Sequence, residues 1–186
     1  MASIRDGILA LLTQGSAYGL QLRNELDVRA RRATALNVGQ VYGTLDRLLD
    51  AGLISQEAHT EDGLPLYALT ETGHAAAQAW LNTPDLDGGN PFESTVFQVL
   101  IARSLPGVSS EALIEAQREA WRERHFAAQE SYAPELTAEL RSSAEETLAR
   151  AVLGWLDEVA KTDDGGTPIS RVRPPRGRPA AEPKFR

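Results

Sequence analysis

Between positions 39 and 47 lie the side chains of a surface suited to reading nucleic-acid bases. Gly39, Gln40, Gly43, Thr44 and Arg47 fall on the side of a helical stretch opposite its apolar stripe. An amide can pair with adenine and a guanidinium with guanine or phosphate, while a glycine lets the backbone close on a groove. A glycine inside a helix costs ~1 kcal/mol, so two of them on one face need a reason. The plain alternative is an ordinary solvated face. Other chemistries are poorly represented. The chain has no Cys, and His59, His74 and His125 lack any metal-ligand spacing. It contains neither a phosphate-cradling Gly-x-x-x-x-Gly-Lys loop nor a Gly-x-Ser-x-Gly elbow. Glu111, Glu115 and Glu119 repeat every four residues beside Arg118 and Arg122, the pattern of a solvated charged face. No enzyme, metal or cofactor is expected.

Hydrophobic period identifies the elements that must position these residues. Ile4, Ile8, Leu11 and Leu12 predict a first helix that ends at Gly15, and Ser16 can cap a second from Ala17 to about Ala30. Val38, Val41, Leu45, Leu48 and Leu49 form the stripe of a third helix, ended by Gly52. The period then changes. Residues 54–59 and 64–69 flank Thr60-Glu61-Asp62-Gly63 and predict a β-hairpin, after which Thr70 caps a fourth helix. Three helices, a two-stranded wing and a closing helix are the order of a winged helix-turn-helix.

The remaining sequence predicts helices and then a tail. Asn90-Pro91-Phe92-Glu93 is a helix start, with Phe92, Val96, Phe97, Leu100 and Ile101 as its expected buried face. A longer helix from Ser109 or Ser110 carries Leu113, Ile114, Ala120, Trp121 and Phe126. The longest, from Pro134 to about Lys161, carries Leu136, Leu140, Ala144, Leu148, Val152, Trp155 and Val159 in a narrow seam. At ~1.5 Å per residue that helix is ~42 Å long, which suits a helix-to-helix partner better than a small core. Leu148, Val152, Trp155 and Val159 are therefore the expected dimerisation residues; internal packing is the alternative. The expected organisation is mainly α: a winged helix-turn-helix domain over 1–82, a helical dimerisation domain over 90–161 and a disordered Pro/Arg-rich tail over 162–186.

Four linked motifs resemble a known family. They are Leu9-Ala10-Leu11-Leu12 with Gly15-Ser16-Ala17-Tyr18-Gly19-Leu20-Gln21-Leu22, Val38 to Leu48, Gly52-Leu53-Ile54, and Tyr67-Ala68-Leu69-Thr70-Glu71-Thr72-Gly73. Their order and spacing are similar to the PadR family of bacterial transcriptional regulators, over about residues 4–75. The resemblance implies a homodimeric winged-helix repressor on an inverted-repeat, double-stranded DNA operator, often released by a small aromatic or drug-like effector. It carries DNA contact onto Gly39, Gln40, Tyr42 and Thr44. With Tyr18, Asn37, Gly43 and Arg47 these make up the candidate DNA-binding set. An effector would be expected among Trp80, Phe97 and Trp121, aromatic residues that otherwise serve as core fillers. The chain also departs from the family. Gly43 stands where Pro is usual and Leu49 where Glu is usual. The wing reads Gly63-Leu64-Pro65-Leu66-Tyr67, with Leu at both positions where a basic residue is usual and Glu61-Asp62 at its tip. Such a wing meets DNA phosphate weakly.

The formal net charge of the 186 residues is −7, yet it is unevenly placed. Residues 1–80 carry −3, residues 81–161 carry −7 and residues 162–186 carry +3. In the last segment, Arg176, Gly177, Arg178 and Pro179 resemble the core of an AT-hook, whose paired Arg side chains lie along a narrow A·T minor groove. A solubilising tail is the alternative. No stretch has the length and hydropathy of a membrane span and no signal peptide is recognisable, so cytoplasmic location is expected. Three functions fit: a DNA-binding regulator, a winged-helix adaptor that docks other proteins, and a drug-binding protein with a secondary DNA role.

Overall fold

Helix α1 (Ile4–Leu12) is apolar on nearly every side, and Ile4 and all residues from Gly7 to Leu12 are buried by the elements around it. The computed structural model describes residues 4–30, 36–60, 63–86, 89–130 and 135–170. Around α1 lie α2 (Gly19–Ala30), α3 (Val38–Asp50), a hairpin of β1 (Ile54–His59) and β2 (Pro65–Leu69), and α4 (Glu71–Asn82). Then come α5 (Pro91–Ser104), α6 (Glu111–Glu130) and α7 (Leu136–Ala160).

Helix α2 starts two residues later than the sequence predicts. Ala17 is not helical because its N–H and carbonyl both pair with Tyr67 of β2, at 3.1 and 3.0 Å. The segment before α2 thus joins the wing as a third, one-residue rung. β1 and β2 are antiparallel, with Ile54 opposite Leu69, His59 opposite Pro65, and a bulge between Gln56 and Ala58. Gly63 at φ +76° sits in the connecting turn, as the Asp-Gly signal anticipates. Glu61 and Asp62 themselves lie outside the described residues.

The end of α3 and the start of α4 are interlocked. Gly52 leaves α3 at φ +66°. Thr70 caps α4 by accepting from Gly73 N, while the hydroxyls of Thr70 and Thr72 both donate to Gly52 O, at 2.7 and 3.0 Å. Gly73 is required there, because a Cβ would lie 1.8 Å from the Leu53 carbonyl oxygen.

Two clusters of buried apolar residues form the cores. The larger joins α1 to α4 and includes Phe97, Ile101 and Ala102 of α5. The smaller joins Val99 of α5, Ile114 and Trp121 of α6, and Ala149, Val152 and Leu156 of α7. Helix α5 therefore belongs to both cores. This double packing also alters its predicted buried face. Phe92 is 40% exposed, whereas Ser94, Thr95 and Gln98 are buried. Their polarity is mostly satisfied internally. Gln98 donates to Trp80 O and to Thr83 O (2.8 Å) and accepts from Gln117 (2.6 Å), Thr95 bonds Gln117 (3.1 Å), and Trp121 Nε1 donates to Thr95 (2.9 Å).

Candidate nucleic-acid interface

The start of α3 is set by Asn37, whose side-chain oxygen accepts from Gly39 N at 2.8 Å. Four residues of the helix, Val41, Thr44, Leu45 and Leu48, turn inward. Gly39, Gln40, Tyr42, Asp46, Arg47 and Asp50 are exposed, with Gly43 half-exposed among them. A Cβ placed on Gly43 would meet nothing within 4 Å, and one on Gly39 only Asn37 Oδ1 at 3.4 Å. Among the described residues, no packing requires either glycine.

Thr44 corrects the sequence reading. It is 5% exposed, its hydroxyl donates to Gln40 O at 2.8 Å, and it accepts from Arg47 Nη2 at 3.1 Å. Its position on the helix puts it beside the apolar stripe, so it braces Arg47 from beneath and does not offer a group to a base. Arg47 also donates through Nε to Gly43 O at 2.9 Å. Tyr42 is partly exposed at the other edge of the face, and its ring rests on α2, where a Cβ on Gly19 would come within 2.9 Å of it. Tyr18 is half-buried, and its carbonyl takes the Leu22 N–H at the first turn of α2.

Sequence reasoning missed the notch at Gly19 and the acids Asp46 and Asp50 on the recognition face. The helical period alone would have placed both acids there. Nearby, Tyr67 is buried, and burial pushes its phenol above its ordinary pKa of 10.0, with Tyr42 and Asp46 adding to the shift.

The aromatic candidates do not converge. Trp80 and Phe97 pack edge to face in the larger core, with ring centroids 6.0 Å apart, whereas Trp121 belongs to the smaller one. Trp121, Arg124, Ala127, Ala128, Glu145 and Leu148 border a hollow of about 250 Å³ between α6 and α7. The expected dimer seam is also divided. Val152 is 1% exposed and buried inside the chain, with Trp155 and Val159 half-buried against the same core, because this half of α7 faces α5 and α6. Leu148 is 41% exposed, and Leu136 (68%), Leu140 (61%) and Phe126 of α6 (59%) are exposed as well, as is Val28 of α2 (72%).

Of the segment 162–186 that the sequence reads as a tail, residues 162–170 are described. Residues 163–170 have no regular secondary structure, yet they bond to α2, to α5 and to Ser110 just before α6. Arg176, Gly177, Arg178 and Pro179 lie outside the described residues. Among the described residues, no cluster of His, Asp and Glu could hold a metal ion and no helix is long and apolar enough to cross a membrane.

Three helices around α1, a wing tied to the segment before α2, and an open, glycine-lined face on α3 define the winged helix-turn-helix class of DNA-binding proteins. Residues 8–79 match the transcriptional regulator PadR-like family. None of the curated proteins matches the chain. Solved structures similar to it include Bacillus subtilis PadR in complex with operator DNA, at 18% identity and a TM-score of 0.41, covering 87% of this chain and 97% of that one. The same protein in complex with p-coumaric acid gives 18% and 0.38, covering 85% and 96%. Streptococcus mutans UA159 smu.1604c gives 21% and 0.39, covering 87% and 100%.

Proposed function

We propose that the chain is a cytoplasmic transcriptional repressor that binds an inverted-repeat operator as a homodimer and is released by a small aromatic effector. The observation that carries the DNA reading is the open space over Gly39 and Gly43. Their cost in helix stability is not recovered by packing among the described residues, and a groove that must receive the α3 backbone recovers it. Gln40 reads a base and Arg47 holds phosphate, while Tyr42 and Tyr18 meet the backbone where α2 joins α3. Asp46 and Asp50 confine base contact to the first half of α3, with Arg47 between them reaching phosphate. Two copies join through Phe126, Leu136, Leu140 and Leu148, which sets half-sites about one or two helical turns apart. The effector belongs in the hollow beside Trp121.

A second reading, a winged-helix adaptor for other proteins, is favoured by Asp46 and Asp50 on the same face. Selection from a random DNA pool by the full chain separates the two. A regulator enriches a two-fold site and binds it with strong salt dependence; an adaptor enriches none. On the enriched duplex, Gln40→Ala should cost about 1–3 kcal/mol at one base position, whereas Arg47→Ala weakens all sequences alike. An unchanged base preference in Gln40→Ala removes Gln40 from the reading surface.

A further inference from the structure

Helix α4 is pinned at both ends. At its start, Thr70, Thr72 and Gly73 lock it to Gly52 and Leu53, just past the last turn of α3. At its far end the sequence leaves a gap. In a continuing helix the carbonyl of Trp80 would take the N–H of residue 84, and that residue is Pro84, which has none. The group that fills the gap comes from α5. Gln98 Nε2 donates to Trp80 O and to Thr83 O (2.8 Å).

The same amide is gripped from the hairpin. Gln98 Oε1 accepts from Gln117 Nε2 of α6 (2.6 Å) and from Asp85 N (3.3 Å). Gln117 Oε1 accepts from Thr95 (3.1 Å), and Thr95 accepts from Trp121 Nε1 of α6 (2.9 Å). Thr95, Gln98 and Gln117 are all fully buried. Both N–H groups of the Gln98 side chain have an acceptor and its oxygen has two donors, so the amide has a single satisfied orientation. Turned over, it would set N–H against N–H and oxygen against two carbonyls, out of reach of water.

The apolar part of this seam is small. Among the buried apolar residues of α5, Val99 is the one that joins the smaller core, while Phe97, Ile101 and Ala102 belong to the larger; on α6, Leu113 crosses the other way. Apolar contact has no direction and lets helices slide or turn a little, whereas a buried set of directed hydrogen bonds admits one register.

We infer that α4 is a strut that carries the setting of the α6–α7 hairpin to the reading helix α3, and that Gln98 is the positioning residue that fixes it. In the dimer, Gln98 thereby determines which separation of half-sites is accepted. This rests on the DNA and dimer readings proposed above. The strut has 12 residues, about 18 Å at ~1.5 Å each, so a small turn at Gln98 displaces α3, and the two-fold axis repeats that displacement in the second copy.

The probe is the two-fold duplex that the full chain selects from a random pool, with versions carrying one base pair more or fewer between the half-sites. The intact chain should bind the altered duplexes at least about tenfold more weakly. Two variants separate the grip from the cap. Gln117→Met leaves Gln98 capping α4 and cuts the grip from the hairpin. Gln98→Met combined with Pro84→Ala also cuts the grip, and it returns an N–H to Trp80 O. Both should keep the half-site sequence and bind all the duplexes within about threefold of one another. Gln98→Met alone should relax the spacing too, and adding Pro84→Ala should restore its urea midpoint but not its discrimination. Discrimination retained in either test variant would overturn the inference, because Gln98 would then be a cap alone. A changed half-site sequence would overturn it as well, by placing the effect inside the head. Failure of the intact chain to select a site would instead overturn the DNA reading, and selection of half-sites at no fixed separation would overturn the dimer reading.

Discussion

Gly43 and Gly73 are both helical glycines, and opposite consequences follow from changing them. A Cβ on Gly43 enters open space, so Gly43→Ala should raise stability by about 0.5–1 kcal/mol and at the same time weaken operator binding. Urea unfolding and DNA titration of the same variant check both signs; tighter or unchanged binding contradicts the groove assignment. Tyr67 supplies a second residue-scale test. Its phenol is held above 10.0, chiefly by burial, so the fold keeps the proton when the unfolded chain begins to lose it. This contribution is complete below the ordinary tyrosine range and is lost as pH rises through it. Tyr67→Phe should flatten the fall in stability between about pH 9 and 11, followed by urea midpoints at several pH values.

At the scale of elements, the junction from α3 to the wing to α4 is the least tolerant part of the head. Gly73→Ala forces a methyl group against a backbone carbonyl that has no rotamer to yield, and should cost about 2–3 kcal/mol in a urea midpoint comparison. A loss as small as that of an exposed helical substitution would show that α4 can slide. Caps and periods made much of this legible in advance: Gly52, Gly63, Thr70 and Asn90 all stand where the sequence reading puts them. What was not legible arises from contacts distant in sequence. Ala17 leaves its helix because of Tyr67, fifty residues away. Thr44 and Val152 have the right types and spacing for a surface role, and only the packed structure turns them inward. Ser94, Thr95 and Gln98 look solvated to any periodicity argument, since nothing local says that a second core will cover α5. The bonding of residues 163–170 was hidden for a related reason: a Pro/Gly-rich composition gives no hint that Arg29 of α2 donates to Thr167 O.

For the whole molecule, the proposed partner surface of Phe126, Leu136, Leu140 and Leu148 is on the α6–α7 hairpin. Leu140→Glu adds charge to a side chain already 61% exposed, so the subunit should keep its helicity while the proposed dimer dissociates. Sedimentation and far-UV circular dichroism together test this, and an unchanged mass sends the partner surface elsewhere. The dissociated chain should also bind a full operator no better than a half-site. Helix α5 has a further consequence at this scale. Because it is shared by both cores, and because Gln98, Gln117, Thr95 and Trp121 stitch α4 to α6 through it, head and hairpin meet without a joint. In the proposed dimer, two such arms form a calliper of fixed span. An operator lengthened by a single base pair turns one half-site about 35° around the duplex axis and shifts it by 3.4 Å, and an instrument without a hinge can follow only by bending the DNA.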